Sequence, residues 1–146
     1  MTDAFLARYC EFFENLRPER LHQVDQLFDP DALFRDPFND VQGRAAIRRI
    51  FEHLLTDYPR TRFRVIESCP THHSAFIRWT FQPDSERELQ IEGVSRVIFN
   101  ARGEALDHRD YWDSASELFA HLPFTRGPIR WLLRKGQACS ADQRND

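Results

Sequence analysis

Two aspartates stand among apolar residues in a way that suits acid–base chemistry. The first is Asp36, which lies between Phe34 and Phe38 where a short strand is predicted to end. Carboxylates partly removed from water are frequent general bases. An aspartate before a proline can equally cap a turn, here the one that begins at Pro37. The sequence therefore predicts a proton-transfer base at Asp36, with turn capping as the alternative.

The second aspartate is Asp110, in a predicted strand that also contains His108. Alternate residues of a strand share a face, so Leu106, His108, Asp110 and Trp112 form one set. If this set faces the interior, the carboxylate needs a partner or a task. If it faces solvent, the residues are part of a charge ladder. The spacing leaves both arrangements open.

Arg78 is the third candidate. It shares one face of the predicted strand 74–82 with Phe76 and Thr80. A buried guanidinium requires a carboxylate, and Asp110 is the candidate partner; a purely structural ion pair is the alternative. The other face is apolar and, if it points away from the helices, is the candidate surface for a homodimer: Ile77, Trp79 and Phe81.

Composition excludes several classes of protein. The 146 residues carry a formal net charge of -3, which gives no general attraction for nucleic acid or anionic lipid. No apolar run approaches the roughly 20 residues that span a bilayer. The histidines lack metal-ligand spacing, so no metal and no cofactor are expected. Cys10, Cys69 and Cys139 are far apart and are expected to be free thiols of a cytoplasmic protein.

Apolar periodicity gives the order of the elements. A helical period predicts helices over 3–16, from Pro18 to Phe28, and from Ala46 to Tyr58, with a short strand at 32–36 after the second. A period of two then predicts four antiparallel strands, over 62–69, 74–82, 87–99 and 104–112. The third is long, and Gly93 is expected to be a bend or a bulge in it.

Helices followed by strands that pair in sequence define an α+β fold. We expect a cone-shaped roll, with three helices packed in the concavity of a curved, mainly antiparallel sheet. A capping box at Ser114 and Glu117 predicts a further helix over 115–121. Residues 1–136 are predicted to form a single domain, and 137–146 a flexible tail.

Two segments resemble a known family. Residues 27–37 (LFDPDALFRDP), followed by 43–48 (GRAAIR), are similar to the nuclear-transport-factor-two-like (NTF2-like) superfamily, especially its ketosteroid isomerase and SnoaL-like branches. Residues 108–113 (HRDYWD) resemble the limonene epoxide hydrolase branch. The resemblance covers residues 3 to about 122, implies the cystatin-like cone fold, and is compatible with enzymes and binding modules alike.

The resemblance also implies roles for single residues. Asp36 matches the isomerase base, Asp110 the water-activating carboxylate of the hydrolases, and Arg78 the arginine that orients it. Two matching positions depart from the pattern, because Thr80 replaces the second hydrolase carboxylate and Ser95 replaces the acid of the isomerase oxyanion hole. Tyr9 could match the isomerase tyrosine if an insertion is allowed near Pro18.

The expected function is a small acid–base enzyme without a cofactor. Its ligand would be a small hydrophobic carbonyl, enone or epoxide compound, with Asp36, Asp110, Arg78 and Tyr9 as catalytic residues. A binding module that catalyses no reaction is the alternative. Residues expected to contact the ligand are Phe13, Phe34, Phe38, Phe51, Phe76, Thr80, Ser95, His108 and Trp112.

Overall fold

The fold is given by a computed structural model that describes residues 3–84 and 89–114, together with Pro128 and Trp131. The chain divides into two compact units, Met1–Trp112 and Asp113–Asp146. The helices of the first unit are α1 (Asp3–Glu14), a 3-10 helix (Pro18–Gln23), α2 (Val24–Leu27) and α3 (Arg44–Asp57). Its strands are β1 (Phe28–Arg35), β2 (Asp40–Gln42), β3 (Arg62–Pro70), β4 (Ser74–Gln82), β5 (Ile91–Phe99) and β6 (Ala105–Trp112).

The helices bury one face each, as their apolar spacing predicts. In α3, Ile47, Phe51 and Leu55 recur every four residues and are buried. The second predicted helix is mostly a 3-10 helix, and it ends at Leu27 because Phe28 already belongs to β1. The predicted helix 115–121, apart from Ser114 at its start, and the tail lie outside the described residues, as does the domain boundary at 136.

A single curved sheet of six strands has the order β2-β1-β6-β5-β4-β3. All neighbouring strands are antiparallel except β1 and β6, which are parallel. The predicted α+β class with a mainly antiparallel sheet is confirmed. The sheet has two strands more than the four that were predicted to pair, because β1 joins β6 and β2 folds back on β1.

The parallel pair sets the level of the two candidate aspartates. Phe34 is opposite His108, and Arg35 is opposite Arg109. Because parallel strands advance in the same direction, Asp36 and Asp110 follow at the same level of the sheet. Residues far apart in sequence therefore reach one end of the fold.

A β-bulge divides β6 into two segments. Ile98 is opposite Asp107, but the next residue of β5, Phe99, is opposite Ala105, so Leu106 is the extra residue. Ala105 and His108 are both buried, although an unbroken strand would turn them to opposite faces. The predicted grouping of Leu106 with His108 is therefore wrong, and Leu106 is exposed.

The predicted assignment of faces on β4 is also wrong. Ile77 and Trp79 are buried on the inner face, where they cannot form the proposed dimer surface. Arg78 lies on the outer face, where its guanidinium pairs with Glu92 at 2.8 Å and Glu67 at 3.7 Å. Burying the apolar set is favourable because it removes more hydrocarbon from water. A homodimer stays a prediction, without this surface.

Gly93 makes room for an indole ring. It pairs regularly with Trp79 on β4 and with Trp112 on β6, so there is no β-bulge at this position. A Cβ atom at this position would lie 2.5 Å from Cζ2 and 2.6 Å from Cη2 of Trp79. The absent side chain thus leaves room for the Trp79 ring at this position of β5.

No helix among residues 3–84 and 89–114 has the length and apolar character that crossing a bilayer requires.

We expect Gly93→Ala to lower the free energy of unfolding by about 1–3 kcal/mol, because the new methyl group overpacks against Trp79. Urea denaturation measures this change. In a Trp79→Phe background, which lacks the ring atoms that clash, the loss should fall to less than about half. An equal loss in both backgrounds would contradict the assigned role of Gly93.

Candidate functional site

A cavity of about 450 Å³ opens between α3 and the inner face of the sheet. Its interior is formed by buried or nearly buried side chains: Phe34, Phe51, Trp79, Ser95, His108 and Asp110. Exposed side chains surround its mouth: Phe38, Arg49, His53, Asp57 and Tyr58. The size and the largely apolar lining suit a small organic ligand.

His108 connects the core of the protein to this cavity. Its Nδ1 lies 2.7 Å from the hydroxyl of Tyr9, and its Nε2 lies 2.7 Å from Oδ1 of Asp110. The ring stacks on Phe34 at 4.6 Å between centroids, with 14° between the planes. Only 3% of His108 is exposed. Two hydrogen bonds and a stacked ring therefore fix the imidazole in one orientation.

A second pair of residues holds the same carboxylate oxygen. The hydroxyl of Ser95 donates to Oδ1 of Asp110, and the indole Nε1–H of Trp79 donates to Ser95 Oγ at 2.8 Å. Oδ2 of Asp110 receives no hydrogen bond from residues 3–84 and 89–114. Since Asp110 lines the cavity and 16% of its side chain is exposed, Oδ2 is available to a ligand.

The directions of these hydrogen bonds favour a neutral imidazole. The Tyr9 hydroxyl is fully buried, and Nδ1 of His108 is its partner among the described residues. A protonated ring would donate from both nitrogens and leave the phenol proton without an acceptor there. Tyr9 therefore donates to Nδ1, and Nε2–H of His108 donates to Asp110.

Tyr9 supports the site without reaching the cavity. Its ring packs against Phe13, Phe28 and Phe99 at 5.2 to 5.5 Å between centroids. Burial, followed by the negative charges of Asp110 and Cys10, raises the pKa of the Tyr9 hydroxyl well above its ordinary value. The phenol thus stays protonated and able to donate to His108.

Asp36 caps the turn that follows β1. Its Oδ1 accepts hydrogen bonds from the backbone amides of Phe38 and Asn39, each at 2.7 Å, and from Asn39 Nδ2 at 3.1 Å. Its Oδ2 accepts a fourth, from Asn39 Nδ2 at 3.0 Å. Asp36 also lines the cavity. Asp36 therefore both caps the turn and lines the cavity.

The predicted site residues separate into two groups. Eight of them line the cavity: Phe13, Phe34, Asp36, Phe38, Phe51, Ser95, His108 and Asp110. The other five lie elsewhere. Tyr9 is behind His108, and Trp112 packs against Phe38. The remaining three are on β4: Thr80, the half-exposed Phe76, and Arg78 on the outer face. The predicted contact between Arg78 and Asp110 is therefore wrong, because the sheet separates them.

Two features of the site were missed from the sequence. Trp79 lies in the interior although it was expected on the outside. Arg49, His53 and Asp57 line the mouth from α3 at intervals of four residues, which places them along one side of that helix. That spacing was readable from the sequence once α3 had been predicted. The described residues contain no group of three or more histidine, cysteine or acidic side chains that could hold a metal ion.

Comparison with known proteins identifies the family. The model of the SnoaL-like domain matches residues 7–108, which is more than half of the chain. The chain therefore belongs to the SnoaL-like family, one of the branches that its sequence motifs resemble. No curated protein matches it.

Solved structures share the fold at low sequence identity. A SnoaL-like family protein from Agrobacterium tumefaciens is 18% identical, covers 75% of this chain and 95% of its own, and has a TM-score of 0.66. A steroid delta-isomerase from Pseudomonas aeruginosa is 20% identical over 90% of both chains, with a TM-score of 0.62. An NTF2-like protein of unknown function from an Exiguobacterium species is 16% identical, covers 75% of this chain and 98% of its own, and has a TM-score of 0.62.

The raised pKa of Tyr9 makes stability depend on alkaline pH. Above about pH 10 the unfolded chain releases a phenol proton that the folded protein keeps. The stability that Tyr9 contributes is therefore complete below that pH and is lost as pH rises toward the folded pKa. Tyr9→Phe lacks this contribution. In urea unfolding, the difference in stability between wild type and Tyr9→Phe should be smaller at about pH 11 than at about pH 9, by up to about 1.4 kcal/mol per pH unit. An equal difference at both pH values would show that Tyr9 is not held in its protonated form.

Proposed function

We propose that this protein is an acid–base enzyme acting on a small apolar carbonyl compound, with Asp110 as the proton acceptor. The observation that carries the proposal is the difference in hydrogen bonding between the two carboxylate oxygens of Asp110. Oδ1 is held by His108 and Ser95, while Oδ2 has no donor among residues 3–84 and 89–114. A base must be fixed in place and yet keep one oxygen free for the substrate.

The proposed reaction moves only a proton and an electron pair. Oδ2 of Asp110 takes a proton from the carbon next to the substrate carbonyl, and the electrons of that C–H bond move onto the carbonyl oxygen, which gives an enolate. The protonated Asp110 then returns the proton to the same or to a conjugated carbon. Nothing is oxidised or reduced, and the apolar walls formed by Phe34, Phe51 and Trp79 keep water from competing.

Asp36 is the competing base, since the family resemblance implies that role for it. Its two oxygens already accept four hydrogen bonds from Phe38 and Asn39. Three of these bonds go to Oδ1 and one to Oδ2, so a substrate proton would have to share Oδ2 with a donor that shapes the turn. Oδ2 of Asp110 has no donor among the described residues, which is why we place the proton transfer there.

Epoxide hydrolysis receives less support than proton transfer at carbon. That chemistry, as the resemblance implies it, needs an arginine that orients the water-activating carboxylate. Arg78 pairs with Glu92 and Glu67 on the other side of the sheet. The steroid delta-isomerase of similar fold is compatible with our proposal, but at 20% identity the likeness supports the fold alone.

Ligand binding without a reaction is the second candidate function. It is favoured by one observation: the polar atoms of Tyr9, His108, Ser95 and Trp79 are all satisfied by hydrogen bonds within the protein. Such a self-contained network can simply stabilise the wall of a binding cavity. The two functions differ in whether bound ketones exchange protons with water.

We expect the protein to catalyse exchange of the acidic protons of a β,γ-unsaturated cyclic ketone with deuterium from heavy water. Nuclear magnetic resonance follows this exchange whether or not the double bond also moves. Asp110→Asn should lower the exchange rate by about 10²- to 10⁴-fold, which is the usual contribution of a general base. Ser95→Ala should lower it less, because His108 still holds Oδ1 of Asp110.

Asp107→Asn is the matched control, since Asp107 is on the same strand but pairs with Arg96 outside the cavity. It should leave the rate unchanged. A loss of activity in Asp36→Asn with none in Asp110→Asn would move the base to Asp36. Binding of the ketone without any exchange would instead establish the binding module.

A further inference from the structure

One cationic side chain at the cavity, that of Arg49, makes no hydrogen bond or ion pair with the described residues. Every other titratable side chain that lines the cavity, Tyr58 apart, has a hydrogen bond or ion pair: Asp36, His53, Asp57, His108 and Asp110. Arg49 lines the same cavity, yet its guanidinium makes neither with any residue in the described ranges 3–84 and 89–114. A charge left unpaired at the opening of an apolar cavity is available to a ligand.

The position of Arg49 separates it from the proposed base. It lies on α3, and its side chain is exposed at the mouth, whereas Asp110 lies in the interior. One and two turns further along α3, His53 Nδ1 and Asp57 Oδ2 lie 3.1 Å apart, so the Asp57 carboxylate faces His53 rather than Arg49. The cavity therefore offers a carboxylate at its inner end and a free guanidinium at its outer end.

The carboxylates of the lining limit where an anion could bind. Asp36, Asp57 and Asp110 outnumber Arg49, so an anionic group deep in the cavity would be repelled. At the mouth, Asp57 already faces His53, and the oxygens of Asp36 are occupied by turn donors. The planar fork of a guanidinium binds the paired oxygens of an anion with two parallel hydrogen bonds.

We propose that the natural ligand is amphipathic, with an apolar body in the cavity and an anionic carboxylate, sulfonate or phosphate group bound by Arg49 at the mouth. This inference rests on the proposed function only for the orientation of the substrate, in which the anion at Arg49 directs the opposite end of the molecule toward Asp110. Arg49 is then a specificity-determining residue and takes no part in proton transfer.

Two fluorescent probes of nearly identical shape test the charge requirement. Anilinonaphthalene sulfonate carries an anionic group, and N-phenylnaphthylamine has the same rings without it. In fluorescence titrations the wild-type protein should bind the sulfonate about tenfold more tightly than the neutral probe, as expected for a charge-assisted hydrogen bond. Arg49→Gln should remove that preference and change the Kd of the neutral probe by less than about twofold.

Two further variants locate the effect. Arg62→Gln is the matched control, because Arg62 is also exposed and unpaired within the described part of the chain but does not line the cavity. It should leave both affinities unchanged. Ile50→Trp narrows the cavity and should weaken both probes. Added salt should weaken the binding of the sulfonate alone.

Equal affinity of the wild type for both probes, or an equal effect of Arg49→Gln on both, would overturn the inference. Probe binding that Ile50→Trp leaves intact would also overturn it, since the probes would then bind outside the cavity. The deuterium-exchange results on Asp110→Asn do not enter this test. The proposed reaction can therefore fail while the ligand class stands, and the reverse also holds.

Discussion

The site depends on a buried histidine that must satisfy both of its ring nitrogens. When His108 is neutral, its ring has one acceptor nitrogen and one donor nitrogen. Nδ1 accepts a hydrogen bond from Tyr9, and Nε2–H donates one to Asp110. A buried polar group without a partner would destabilise the fold by about 1–3 kcal/mol. The helix α1, which carries Tyr9, is therefore linked to strand β6 by a specific contact as well as by apolar packing. That link fixes the orientation of the His108 ring in the wall of the cavity.

Local patterns in the sequence were sufficient for most of the fold. Apolar spacing every three or four residues located α1 and α3, and the change to a period of two located β3 to β6. The parallel pairing of β1 with β6 could not be found in this way, since it joins Phe34 to His108 across more than half of the chain. Such contacts depend on the packing of the whole sheet, and that pairing is what brings Asp36 and Asp110 to one level.

The site was harder to predict than the fold because alternation defines two faces without saying which is inside. On β6 the role that the resemblance implies for Asp110 requires this residue to face inward, as it does, although Leu106 of the same predicted set is exposed. On β4 the same resemblance favoured Arg78 inside, whereas apolar burial placed Ile77 and Trp79 there. Hydrophobicity was the stronger guide, because placing a guanidinium in the interior requires a buried partner and Glu67 and Glu92 offer partners at the surface.

The bulge at Leu106 divides β6 into two segments whose inward-facing residues differ in phase. On the hairpin side of the bulge, Asn100 Nδ2 donates to Glu104 Oε2 at 2.8 Å, and Ala105 is fully buried. Beyond the bulge, His108 and Asp110 regain their inward direction. An insertion in the hairpin between β5 and β6 would therefore leave the inward direction of His108 and Asp110 unchanged, because their pairing with β1 and β5 sets it.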